Sequence, residues 1–254
     1  MKLLLERGDV NPNLSDMDSR TPLSLAALIG HECLVELLLR RRDVNPNASD
    51  DDGRTPLSDA TWKGHQSAVK LLLACVDVNP NLPDSSGQTP LSYAAIGGNE
   101  GLVKLFLEHG DINPNLSDSR ERTPLSYAAS RGYEGVAKLL PGHGDVNPNS
   151  LDRNGRPPLS YAAAGGHRGV VKLLLDHRDV NPSSSDIHGQ TPLSYATMMG
   201  QGDVVKLLSE VLRIARKPWS NVTSTTGEAA SHQEAPRPST ATDDATSPSF
   251  SFWL

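Results

Sequence analysis

The tetrapeptide TPLS stands at residues 21, 55, 89 and 123, returns as PPLS at 157 and as TPLS again at 191, so a unit of 34 residues is copied down most of this chain. A unit this short cannot bury a core of its own. Its apolar side must be covered by the next copy, which predicts a quasi-linear stack whose main product is surface. The 254 residues include 37% hydrophobics but only 4% aromatics, enough small aliphatic material for an elongated stack and too little for one thick core.

The third copy, residues 77–110, divides into DVNPNLPDSSGQ, TPLSYAAIGG and NEGLVKLFLEHG. In the middle piece Thr89 suits an N-cap and Pro90 the first helical position, where a missing N–H costs nothing; Leu91, Ala94 and Ala95 follow at helix spacing. This short helix ends at Gly97 and Gly98. The last piece predicts a second helix with a wide apolar arc from Leu102, Val103, Leu105, Phe106 and Leu107, stopped at Gly110. In the first piece Pro80 pushes Asn79 toward an extended conformation and residues 84–87 have the composition of a tight turn. The expected unit is a helix pair with a projecting hairpin-like arm, and small alanines on the first helices let a stack of such units curve.

The TPL opening, the AA pair, the Gly-His turn at Gly30-His31, Gly64-His65 and Gly166-His167, and the VVKLLL run at 170–175 together resemble the ankyrin repeat. The tetratricopeptide repeat also has 34 residues, but its Trp, Leu-Gly and Tyr pattern is absent here and it has no room for a 12-residue arm. The resemblance covers roughly residues 1–216. It implies an all-α solenoid of helix-turn-helix units with β-hairpin-like arms. The expected organisation is a remnant of a truncated repeat at 1–8, then six repeats at 9–42, 43–76, 77–110, 111–144, 145–178 and 179–216. Two departures from the family pattern are systematic. The residue beyond the usual 33 falls in the arm, where DVNPN is expected to occupy the hairpin strand, and the His of the family's TPLH is Ser in all six copies, so a hydroxyl is expected to support the neighbouring loop.

The array is irregular at three places. MKLLLERG at the start reads as the end of a second helix lacking its first, which fits either a piece of something longer or a short frayed segment tucked onto the next repeat. Pro141-Gly142 should shorten the second helix of the fourth copy, and Pro157 removes the capping Thr of the fifth, so a soft point is expected between residues 139 and 158. The sixth copy continues through Val204, Val205, Leu207, Leu208, Val211, Leu212 and Ile214 as an extended terminal helix. From 217 to 254 the composition turns to Ser, Thr, Pro and Ala, which predicts a disordered tail; its apolar end at 250–254 and Ser247-Pro248 are weak docking and phosphorylation candidates.

The chemistry the sequence supports is thin. A net charge of −6 with interleaved signs argues against a nucleic-acid partner, and no apolar run approaches a membrane span. Cys33 and Cys75 sit in apolar helix patterns and the N-terminal apolar run covers only residues 3–5, which reads as an intracellular, cytoplasmic or nuclear protein without a signal peptide. No phosphate-binding loop, catalytic triad or metal spacing is found, so no enzyme, cofactor, metal or small-molecule substrate is expected. His109, His143 and His177 recur every 34 residues, but successive helices lie about 8–10 Å apart, too far for ligands that must each approach one zinc to about 2 Å; they read as helix C-terminal charge partners. His31, His65 and His167 read as structural, and the file Tyr93, Tyr127, Tyr161 and Tyr195 as packing between first helices.

Function is therefore sought where the copies differ. By resemblance, an ankyrin array binds partner proteins on its concave face, through arm tips and the exposed side of the first helices. The tips carry Asp51 and Asp52, Ser85 and Ser86, Arg120, and Arg153, running from acidic to basic. The first helices carry Leu28 and Ile29, Trp62 and Lys63, Ile96, Arg131, and Met198 and Met199. Trp62, the one tryptophan in the repeats, should form an apolar patch with Leu28, Ile29 and Ile96, edged by Asp51 and Asp52. The alternative reading is the sensing array of a larger nucleotide-binding, NACHT-like regulator whose NTPase lies in residues other than these; arrays with uniform NPN arms and TPLSYAA helices resemble fungal multi-ankyrin proteins of that kind.

Overall fold

The computed structural model describes residues 11–215; the segment at 1–8 and the tail at 217–254 lie outside the described residues. Among the described residues there are twelve α-helices, of two alternating kinds, and no strand. The first kind opens on the TPLS motif: α1 (Pro22–Leu28), α3 (Pro56–Lys63), α5 (Pro90–Ile96), α7 (Pro124–Arg131), α9 (Pro158–Ala164) and α11 (Pro192–Met198). The second kind follows a glycine turn: α2 (Glu32–Leu39), α4 (Gln66–Leu73), α6 (Glu100–Leu107), α8 (Glu134–Leu139), α10 (Arg168–Leu175) and α12 (Gly202–Ala215). First helices pack on first helices of the next copy and second on second. Leu23, Ala26 and Ala27 of α1 and Val35 and Leu38 of α2 are closed from solvent, and their counterparts repeat this down the stack.

The caps explain why these short helices start where they do. In five copies the Thr hydroxyl accepts the N–H of the Ser three residues on, at 3.2–3.4 Å, with Pro at the first position. The Ser hydroxyl lies 3.1–3.2 Å from that same Thr hydroxyl. This corrects the expectation that it supports the neighbouring loop: the side chain is too short to cross to another copy and stays inside its own capping turn. In the fifth copy Pro157 offers no cap, and the Ser160 hydroxyl is buried with no hydrogen bond.

The arms also differ from the sequence reading. DVNPN forms turns, not a hairpin strand, because its asparagines are engaged between copies. The second Asn of each NPN (Asn13, Asn47, Asn81, Asn115, Asn149) donates from Nδ2 to the carbonyl of Asp43, Asp77, Asp111, Asp145 or Asp179 in the next arm, at 2.5–2.6 Å. Its Oδ1 accepts the N–H of Asn45, Asn79, Asn113, Asn147 or Asn181 at 2.7–2.9 Å. The result is a side-chain ladder with a rung at every junction, which ends where Ser183 replaces the sixth Asn. Beyond it each arm closes in a tight turn. In the second copy the Asp50 carboxylate accepts the N–H of Asp52 and of Arg54 while the Gly53 N–H returns to the Asp50 carbonyl. Gly53 has φ 78°, and a Cβ there would meet the Ser85 N of the next arm at 2.7 Å; Ser19 and Glu121 hold the equivalent left-handed position at φ 61° and 62°.

The irregular junction has the expected form. With Pro141 two residues beyond its end, α8 has 6 residues against 8 in α6 and α10, although Leu140 at its C-cap remains fully buried. At the far end α12 extends to 14 residues, with one polar side and an apolar side that closes on α10 and α11.

Pro157→Thr supplies both a cap for α9 and a partner for Ser160, and is expected to stabilise the chain by about 1 kcal/mol in denaturant unfolding. In the parent chain, amide exchange should be faster at residues 139–158 than at the same places in neighbouring copies, and the substitution should reduce the difference. Asn81→Ala removes both bonds of one rung, and because water reaches these groups its expected cost is about 1 kcal/mol.

Candidate functional site

The arm tips present a row of side chains on a backbone that is already tied down. At each junction the first tip residue donates its N–H to the carbonyl of the second tip residue of the preceding arm: Asp51 to Asp18, Ser85 to Asp52, Ser119 to Ser86, Arg153 to Arg120 and Ile187 to Asn154, at 2.8–3.2 Å. Asp51, Asp52, Ser85, Ser86, Arg120 and Arg153 are all exposed. On the first helices Lys63, Arg131, Met198 and Met199 are exposed, and Ile29 and Trp62 show 65% and 49% of their surface. Leu28 and Ile96 are half-buried, and Ile96 packs against the core. The apolar surface expected around Trp62 is accordingly smaller than the sequence implied, since Ile96 is partly withdrawn against the core. Met198 and Met199 stand at the other end of the array, on and just after α11.

Behind the tips lies a row of tyrosines with a definite job. The hydroxyls of Tyr93, Tyr127, Tyr161 and Tyr195 donate to the turn carboxylates Asp84, Asp118, Asp152 and Asp186, fastening each arm to its own first helix. The Tyr127 bond is 2.6 Å and is joined by Arg122 Nη2 at 2.8 Å and by Gln88 Nε2 of the preceding copy at 3.1 Å. Burial and the adjacent Asp118 carboxylate push the Tyr127 phenol up to about 12. Burial alone would raise the Asp118 carboxyl, but bonds from Tyr127 and from Arg122 hold it below its usual value. The Arg122 and Arg156 guanidiniums lie 4.6 and 4.8 Å from the ring centres of Tyr127 and Tyr161, so these rings are covered and offer no stacking platform.

The first two copies break this row with Leu25 and Asp59. Asp59 is 1% exposed, and neither carboxylate oxygen has a hydrogen bond. The nearest cation is Arg54, whose Nε stands 3.9 Å away while its Nη2 is held by Asp50 at 3.1 Å and Asp52 at 2.9 Å. Burial pushes the Asp59 carboxyl up to about 6 against the pull of Arg54, and Asp50 pushes it the same way. Beside it opens a cleft of about 310 Å³ lined by Asp52, Arg54, Trp62, Asp84, Ser85, Ser86, Gln88 and Tyr93. Trp62 meets Tyr93 edge to face, with ring centres 5.4 Å apart at 71°. Four positions singled out from sequence (Asp52, Trp62, Ser85, Ser86) thus converge, while the lining residues Arg54, Asp84, Gln88 and Tyr93, and the buried Asp59 beyond Arg54, were not among them. Asp59 had a legible signal, as the acidic departure from the tyrosine file.

Three of the histidines have a structural role. His65 and His167 place Nε2 at 3.1 Å from the carbonyls of Leu28 and Ser130 in the preceding copy, and His109 reaches the Leu73 carbonyl at the end of α4 at 3.2 Å. The glycine of the first such turn is required twice over: Gly30 has φ 72°, and a Cβ on it would meet the His65 ring at 2.6 Å. Among the described residues no three His, Cys, Asp or Glu side chains converge to hold a metal, and no helix is long and apolar enough to cross a membrane.

Asp59→Asn should stabilise the chain at pH 7.5. The folded-state carboxyl titrates near 6, above the 3.8 of an unperturbed aspartate, so its ionisation opposes folding in full above about pH 6 and not at all below about pH 4. The expected gain is a few degrees in thermal unfolding at pH 7.5, fading as the pH falls toward 4.

A family model described as ankyrin repeats in three copies matches residues 1–84, 74–152 and 136–216. No curated protein matches the chain. Among solved structures, the crystal structure of EF0377, an ankyrin repeat protein, aligns with a TM-score of 0.69 at 25% sequence identity over 74% of this chain and 96% of that one. The stacked helix pairs and the family matches spanning most of the sequence agree: the chain belongs to the ankyrin-repeat family, whose general role is protein binding on a typically non-enzymatic scaffold.

Proposed function

We propose that the chain is a scaffold that binds one or more partner proteins on the face formed by its arm tips and the outer ends of its first helices. The observation that carries this reading is Trp62, a tryptophan half in solvent beside a row of tips whose backbone is tied and whose side chains differ from copy to copy. Tryptophan contributes large contact area for little lost conformational freedom and is enriched among binding hot spots. The pre-tied backbone lowers the ordering cost of binding. The change from Asp51 and Asp52 at one end to Arg120 and Arg153 further along would fix the direction in which a partner lies. Residues 9–216 would act as six repeats of this one scaffold. A role as the sensing end of a nucleotide-driven assembly would use the same face, with the NTPase on residues other than these.

The test compares proteins retained from cell extract by the full chain, by a chain carrying Ile29→Asp and Trp62→Ala, and by a control with Lys104→Ala on the exposed side of α6, quantified by mass spectrometry. The double variant should lose its specific partners by at least about tenfold and the control should keep them. An unchanged set in the double variant would place the contact surface elsewhere.

A further inference from the structure

The repeated turn aspartates Asp16, Asp50, Asp84, Asp118, Asp152 and Asp186 each accept backbone N–H groups, most with a tyrosine or an arginine as well; Asp59 on α3 accepts none. In the four copies that follow, its position carries a phenol long enough to reach the arm, and Asp59 is too short to do so. Asp50, Asp52 and Asp59 share two guanidiniums: Arg54, and Arg20, whose Nε lies 3.8 Å from Asp50 while its Nη1 is 3.3 Å from Asp18. With Asp18 counted, four carboxylates share these two guanidiniums, and the one that is both desolvated and without a hydrogen bond is Asp59, 3.9 Å from the Arg54 side chain that forms part of the cleft wall. Buried carboxylates without partners are rare in folded proteins because they are costly, and a departure from the local repeat that adds such a cost points to a group supplied from outside.

We propose that the Trp62 cleft is the docking site for a basic side chain, arginine or lysine, of a partner protein, laid over the half-exposed indole and paired with Asp52, with the buried charge of Asp59 beyond Arg54 adding to the attraction. This rests on the reading of the face as protein-binding and adds the chemistry of the partner. The indole favours a cation over its face. Asp52 and Asp84 line the same cleft, so an acidic segment is repelled, and a neutral hydroxyl would leave the charge in place. Asp59 is closed from water, so its charge reaches the cleft from beyond Arg54 with little solvent screening. A guanidinium fits best, since it can fork onto the Asp52 carboxylate while stacking on an aromatic ring.

The pH response follows from the groups around Asp59: Arg54, Asp50 and Arg20 on the arms, Lys63 on its own helix, and Tyr93 on α5. Once Asp59 takes up a proton, below about pH 6, its attraction for a cation is lost.

The experiment uses the full chain and short synthetic peptides in which one arginine or lysine stands between apolar residues, with otherwise identical glutamine and glutamate peptides, read by fluorescence polarisation. Basic peptides should bind at least about tenfold more tightly than the glutamine peptides, less tightly at pH 5 than at pH 7.5 and less tightly in high salt. Asp59→Asn and Trp62→Ala should each weaken them by about tenfold. Asp59→Tyr restores the side chain of the later copies, so it should fold at least as stably as the parent while losing the preference for basic peptides; this separates loss of the site from loss of the fold. Equal binding of basic and glutamine peptides, or undiminished binding by Asp59→Asn, overturns the proposal. Binding that ignores charge but is lost in Trp62→Ala overturns it while leaving the protein-binding face intact. Absence of binding by every peptide also overturns it, and the extract comparison then decides the broader reading by itself.

Discussion

Burial in this chain is available only between copies. Leu23, Val35 and Leu38 are closed from solvent because α3 and α4 lie against α1 and α2, and no helix pair of seven and eight residues could cover them alone. Everything else depends on that nearest-neighbour contact and on its register. Because each copy meets the next with the same offset, a polar group that finds a partner across one junction finds it again wherever its residue type recurs. The asparagine rungs, the tip-to-tip backbone bonds and the His or Gln reaching back to the preceding first helix are one set of contacts repeated.

The same constraint decides what could be read from the sequence. Features whose cause lies within a few residues were legible: the Thr-Pro helix starts, the truncation of α8 ahead of Pro141, and the long α12. Features whose partners lie 30 or more residues away were not. The reading of DVNPN as a strand failed because the Asn47 side chain donates to the Asp77 carbonyl and accepts the Asn79 N–H in the next arm, a partnership set by stacking register and invisible in local propensity. The Ser of TPLS failed in the opposite sense, since a contact expected across the junction is made within the cap. Ile96 was placed on the surface by its position in the repeat and is drawn toward the core by what packs on it.

The candidate site was half legible for the same reason. Variable positions mark where side chains are free of the repeat's structural duties, and Asp52, Trp62, Ser85 and Ser86 were found that way. Asp59 belongs to a structural position, the one that elsewhere holds the arm by a phenol, and it escapes a search confined to tips and outer helix ends. Its significance appears only when the partners of the neighbouring tyrosines are known, because the anomaly is a bond that every later copy makes and this one does not.

A stack coupled only to its neighbours is well suited to carrying such an anomaly. In a single-core domain an uncompensated buried carboxylate would tax the whole cooperative unit, whereas here its cost falls on α3, its arm and the copies on either side. The second copy lies inside the array, so its helices remain covered on both sides by α1, α2, α5 and α6 even when its own arm is held less tightly than the later ones. Arg54 fills the role of the missing phenol in part, binding Asp50 through two nitrogens, and this keeps the turn closed while leaving Asp59 without a hydrogen bond. The fold thus separates two demands that conflict at one residue: the arm is secured by a guanidinium from its own turn, and the helix position released from that duty carries a buried charge.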